Sequence, residues 1–214
     1  MGGESLIHVV HLYDGHEQVY GGRGSVPGVV WNIARETAAA NHDVTVLERR
    51  WDDLPATAEY DGVAFHRLNL RTGADKPWMR VPYEEVTSPG GAVRLVGDRT
   101  NFAFAALRWL YEMEFDILHV HLPFAANVIA TVAPQLRDRM VYTAHLGELR
   151  LDLLEDSQGD SSDESGLDVP AVLSAFSPDV YLAKRVAATT VLNPGIESRI
   201  RRPRRRRDRV ARDS

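Results

Sequence analysis

The chain alternates short apolar runs rich in β-branched residues with stretches whose apolar residues recur every three or four positions, and few folds accept that alternation. Leu6-Ile-His-Val-Val-His-Leu12 is apolar enough for a strand covered on both faces. After a polar loop, Ser25 is placed to cap a helix with Pro27 in its first turn. Val26, Val29, Val30, Ile33, Ala34, Thr37 and Ala38 then form a helical stripe that should pack on a sheet. Asn41-His-Asp43 stops the helix, and Val44-Thr-Val-Leu47 starts a second strand. Strand, crossover helix and strand in this order make a right-handed βαβ unit.

The pattern continues with a strand at Val63–Leu68, a long irregular excursion from Arg71 to Gly97 and a helix from about Thr100 to Glu114. A strand follows at Ile117–His121, then a helix from Pro123 toward Arg137 and a strand at Met140–Thr143. The acidic segment from Glu155 to Gly166 has almost no apolar content and reads as a mobile loop. A helix from Ser177 to Lys184 and a strand at Ala188–Leu192 complete six strands. The fold class is α/β: a single doubly wound, Rossmann-like parallel sheet over residues 1–198. With 214 residues and 44% hydrophobic content, one substantial domain is within reach and two full Rossmann domains are not.

Charge and cysteine content exclude several functions. The net charge of −5 divides into a body, 1–198, with 28 acids against 16 Lys and Arg, and a tail, 199–214, with nine Arg against two acids. So acidic a body repels polyanions, and nucleic acid is not expected as a partner. The tail has neither apolar period nor cap and reads as a basic, disordered terminus or the end of an interrupted reading frame. Zero cysteines exclude disulfides, thiolate metal sites and cysteine nucleophiles. The opening Met-Gly-Gly-Glu lacks the features of a secretory signal, so a cytoplasmic location is expected.

Two segments carry candidate chemistry. Gly21, Gly22 and Gly24 precede the first helix, where their amides and the helix dipole suit a phosphate; a tight loop needing positive φ is the alternative. His119 and His121 share one face of a strand, and only His121 should project beyond its end. His145 closes the next strand at the same edge, and His11 lies near that edge on the first strand. Glu148 and Arg150 follow His145, each placed either to bind a ligand hydroxyl or to cap the next segment. His119 and His121 have the spacing of a metal pair, but no nearby carboxylate completes a set, so no metal is expected.

Four ordered motifs give the chain a family resemblance: Gly21-Gly-Arg-Gly24, Asn41-His-Asp-Val-Thr-Val-Leu47, Phe115-Asp-Ile-Leu-His-Val-His-Leu-Pro123 and Thr143-Ala-His145, with a closing Thr190-Val-Leu-Asn-Pro-Gly-Ile196. Over roughly residues 6–198 it resembles the N-terminal half of a family 4-like retaining glycosyltransferase of the GT-B fold. The resemblance implies transfer of a hexose from a nucleotide-sugar donor to a glycan, lipid or small-molecule acceptor, without a cofactor. It implies that His121 and His145 are catalytic beside the transferred sugar. On this reading Gly21, Gly22 and Gly24 are expected to bind the donor phosphate or sugar, and His11, Glu148 and Arg150 the acceptor. It also implies a C-terminal donor-binding domain as partner, without which the chain is expected to be inactive, and peripheral membrane contact where the acceptor is lipid-linked.

Two other readings stay open. Gly22-x-Gly24 followed by Glu48 superficially fits an NAD(P)- or flavin-binding domain, although eight residues separate Leu12 from Gly21 where a dinucleotide fingerprint needs almost none. A non-catalytic carbohydrate-binding domain is the third.

Overall fold

A computed structural model describes residues 6–51, 54–70, 89–145, 182 and 184–191. The first strand, β1, is His8–Leu12, and its central run of small apolar residues is buried as the sequence requires. Helix α1 (Ser25–Ala39) follows, buries Pro27, Val30 and Ala34, and ends at Asn41, whose φ of 66° turns the chain into β2 (Asp43–Arg49). Gly24, not Ser25, is the N-cap, with no side-chain cap of its own. A carboxylate from the preceding loop instead holds the amides of Arg23 and Gly24, just before the first helical residue.

Strands β3 (Thr57–Tyr60) and β4 (Val63–Leu68) form an antiparallel hairpin. Its turn, Asp61-Gly62, has φ of 48° and 77°. Positive φ at both positions is the primed turn that Asp-Gly favours. Six parallel strands were expected; among the described residues this edge strand is a seventh, and it is the one antiparallel member of the sheet.

Helix α2 runs from Pro89 to Glu112, so the stretch Pro89–Gly97 is helical, contrary to the irregular excursion expected there. Proline is well suited to open a helix, and two glycines in the first turn cost little, so these residues start a helix rather than break a loop. Residues 71–88 lie outside the described residues.

Strand β5 (Ile117–Val120) leads to α3 (Pro123–Val132), which stops at Ala133 and gives way to a 3₁₀ turn, Pro134–Arg139. The helix expected to reach Arg137 is thus cut where Pro134 cannot continue it. Strand β6 (Met140–Ala144) and β7 (Ala188–Val191) complete the sheet. The acidic segment 155–166, most of the helix expected at 177–184 and the basic tail lie outside the described residues.

The sheet order is β3-β4-β2-β1-β5-β6-β7. The chain winds outward from β1 in one direction, returns, and winds outward in the other, so the strand order reverses between β1 and β5. In such sheets ligands bind at the carboxyl edge beside this reversal. Two cores cover the sheet. Val10, Leu12, Leu118, Val120 and Tyr142 pack against α2 and α3 on one face, with Phe102, Leu110 and Ile129. Val44, Val46 and Phe65 pack against Val30 and Ala34 of α1 on the other.

Candidate functional site

Histidines gather at the reversal because of strand register. His11 of β1 is the register partner of His119 of β5 and of Val46 of β2. In-register residues of parallel neighbours point to the same side, so both rings stand on the α1 face of the sheet. His121 follows two residues later on that face, and its amide donates to the carbonyl of Leu12 at 3.3 Å, extending the pairing past β5. His145 follows the end of β6.

The four rings form a continuous cluster. His11 Nδ1 lies 2.9 Å from His121 Nε2, and His121 Nδ1 lies 3.2 Å from His145 Nε2. His119 stacks on His121 with ring centroids 4.3 Å apart, and its Nε2 is 2.7 Å from Thr143 Oγ1. His11 and His121 are fully buried, whereas His119 and His145 are partly exposed. Only His121 was expected to project beyond the strand end, yet the period-2 spacing that pairs it with His119 puts both on the site's face.

Burial keeps these imidazoles neutral. It lowers His11 to about 3, with His119 adding repulsion, and His119 and His145 to about 4. His121 is driven well below the ordinary histidine range by burial first and by its three neighbours second.

Neutral rings constrain the hydrogen bonds. Each carries one N–H, so the two links of the chain His11–His121–His145 must run in one direction. Either His11 donates to His121 and His121 to His145, or His145 donates to His121 and His121 to His11. Both choices leave His11 Nε2, which is buried and has no partner among the described residues, as a bare lone pair or a bare N–H. Such an atom costs about 1–3 kcal/mol. A chain of this kind can pass a proton one way or reverse its polarity, and it presents a neutral ring rather than a cation at its partly exposed end.

The glycine loop lies at the same carboxyl edge but leans toward β2. Tyr13 N donates to Leu47 O, and Val19 N donates to the Glu48 carboxylate at 2.7 Å. Gly21 has φ of 76°, and a Cβ on Gly22 would come within 2.1 Å of the Gln18 carbonyl oxygen, so both glycines are required by the turn itself. Of the amides expected to cradle phosphate, that of Gly24 already holds an anion of the protein's own. Glu17 Oε2 accepts from Arg23 N at 2.9 Å and from Gly24 N at 2.7 Å.

A buried network of charges, not anticipated from sequence, anchors this loop. Arg49 donates to Asp98 through two nitrogens, at 3.0 and 2.7 Å. Arg99 donates to the Asp14 carbonyl, and the Asp14 carboxylate accepts from Ala125 N at 3.2 Å, in the first turn of α3. Glu48 also takes Arg67 Nε at 2.8 Å. Burial raises the Glu48 carboxyl, opposed by the Val19 amide and by Arg67. Its oxygens are therefore committed to the fold and not left for a ribose, and 12 residues separate β1 from α1. Both facts run against the dinucleotide reading.

His11, His121 and His145 are thus brought together, and Gly21, Gly22 and Gly24 share their edge of the sheet. Glu148 and Arg150 lie outside the described residues. A separate concavity of about 550 Å³ lies by β4 and α2, lined by His66, Asn69, Arg108 and Trp109 among others.

No curated protein matches the sequence. Solved structures do: a sucrose-phosphate synthase from Thermosynechococcus elongatus superposes with a TM-score of 0.62 at 15% identity, over 92% of this chain and 45% of that one. A second structure bearing that protein's name gives 0.54 at 14% identity, over 91% of this chain and 81% of that one. The chain thus spans less than half the length of the first. The fold is that of a GT-B glycosyltransferase domain, as expected. The family model described as Glycosyltransferase Family 4 matches residues 26–161, more than half of the chain, and the chain belongs to that family.

Proposed function

We propose that the carboxyl edge of β1, β5 and β6 forms the acceptor side of a glycosyl-transfer crevice, in which a hexose passes from a nucleotide sugar to a glycan, lipid or small-molecule acceptor. The observation that carries this reading is the neutral histidine cluster at the strand reversal. Transfer from a nucleotide diphosphate builds negative charge on the leaving group and positive charge on an oxocarbenium-like carbon, and a preorganised neutral ring beside the sugar can donate to an oxygen there without setting a full positive charge against the carbon. His145, the partly exposed end of the cluster, meets the sugar hydroxyls, and His121 holds it in place and sets its tautomer.

Gly21, Gly22 and Gly24 receive the donor's phosphate or sugar once Glu17 gives up the Arg23 and Gly24 amides. His11, Glu148 and Arg150 serve the acceptor, and a second domain binds the nucleotide. Where the acceptor is lipid-linked, this edge works at a membrane surface.

Calorimetry of the chain against nucleotide hexoses, acceptor glycans and NAD tests the reading. Saturable binding of a nucleotide sugar or glycan, lost in His145→Ala, supports it. Binding of NAD, or heats indifferent to His145→Ala, would overturn it. Glycan binding without any response to nucleotide sugars, even with a donor-binding domain added, favours a carbohydrate-binding module.

A further inference from the structure

We infer that His11, His119 and His121 form a binding site for one divalent transition-metal ion, with a fourth position open to water or to an anionic ligand. The sequence pairs only His119 with His121, and two imidazoles do not make a site. The third comes from β1. One ring nitrogen from each of the three lies within 4.8 Å of the other two. His11 Nδ1 and His121 Nε2 are already 2.9 Å apart. Tetrahedral zinc with bonds of 2.0–2.1 Å sets its nitrogens about 3.3 Å apart, so small rotations of the rings suffice.

Three further features suit a metal. The rings rise from adjacent parallel strands, a rigid frame that fixes their separation. His119 Nε2 is held by Thr143 Oγ1 and His121 Nδ1 by His145, the outer hydrogen bonds that orient a ligating imidazole and leave its other nitrogen for the ion. The Nε2 of His11 is buried without a partner among the described residues, so no second hydrogen bond holds that ring against the small rotation that brings its Nδ1 to the ion.

The donor set selects the ion. Three imidazoles suit zinc, copper or nickel, and not magnesium or calcium, which need oxygen ligands. The group contains no carboxylate, so the ion keeps its full double charge. Three protein ligands with one exchangeable position make a site of the open type, ready to polarise a bound water or hold an anion, and not a closed structural one.

The inference goes beyond the transferase reading and is tested with no sugar present. Chelator-treated chain is titrated with Co²⁺ and followed by its visible absorption, then challenged with Zn²⁺. The expected result is one tetrahedral Co²⁺ per chain, displaced by one Zn²⁺. His11→Asn, His119→Asn and His121→Asn should each weaken binding by 100-fold or more, and Thr143→Val by roughly 10-fold, the usual range for an outer partner. His42→Gln should change nothing. Should a histidine variant fail to fold, histidine ¹⁵N spectra of the unaltered protein decide: Zn²⁺ must shift His11, His119 and His121 together. Absent or non-stoichiometric Co²⁺ binding, binding retained in His11→Asn, or ¹⁵N shifts confined to other histidines would overturn the site.

Discussion

The Nδ1 of His11 lies 2.9 Å from the Nε2 of His121, joining two fully buried rings 110 residues apart in the chain. That contact crosses the one place in the sheet where the strand order reverses. Its consequences extend to stability as well as to chemistry.

Stability should fall in mild acid. In the unfolded chain the cluster histidines titrate near 6.5, while in the folded state His11 sits at about 3 and His119 and His145 at about 4, with His121 also well below its ordinary value. Below pH 6.5 the unfolded state therefore binds more protons, so stability is complete above that pH and is lost as pH falls toward 4. At pH 5 unfolding should take up about three to four protons, with a slope on the order of 1.4 kcal/mol per pH unit for each histidine. Urea unfolding between pH 7 and 5 measures it, and a flat profile would show that the rings are charged or solvated.

In a transfer assay that includes a donor-binding domain, His121→Ala should lower turnover by roughly 10- to 1,000-fold, the range for losing a transition-state donor or the group that holds it. His145→Ala should do the same. Turnover of His121→Ala equal to that of the unaltered enzyme would remove the cluster from the reaction.

Glu17→Ala removes the carboxylate from the Arg23 and Gly24 amides. The loop entering α1 loses two hydrogen bonds, so stability should drop by about 1–2 kcal/mol. The freed amides should bind pyrophosphate more tightly than in the unaltered chain. Calorimetry with pyrophosphate checks this, and weaker binding in the variant would mean that Glu17 shapes the loop for the anion instead of occupying its place.

Arg49→Met leaves Asp98 in the interior without its two-nitrogen partner. Removing one member of a buried pair costs about 3–5 kcal/mol. Arg99 Nη1, 3.6 Å from Asp98 Oδ2, should hold the loss near the lower figure. The double variant Arg49→Met/Asp98→Leu should regain most of it, as denaturant titration will show.

The frame of this protein was written in its alternation. The buried strands, the α1 stripe and the turn at Asn41 follow from local patterns, because apolar spacing and turn residues act within a few positions. The misreadings were equally local. Pro89 and the two glycines after it signal a helix start as readily as a loop, and the strand before the Asp61-Gly62 turn, Thr57–Tyr60, is too short and polar to stand out. Loop glycines were recognised, but Gly22 is required by a clash with Gln18 that appears only when the turn closes.

Tertiary structure alone decided the site. No spacing along the chain links His11 to His121 or Asp14 to the amide of Ala125. The neutral state of the histidines is equally a property of the fold, since burial sets it and burial is not a local quantity. Periodicity tells each residue which face of its element to occupy; which faces meet, and how far water is excluded between them, depends on the order and register of strands that pair across more than a hundred residues.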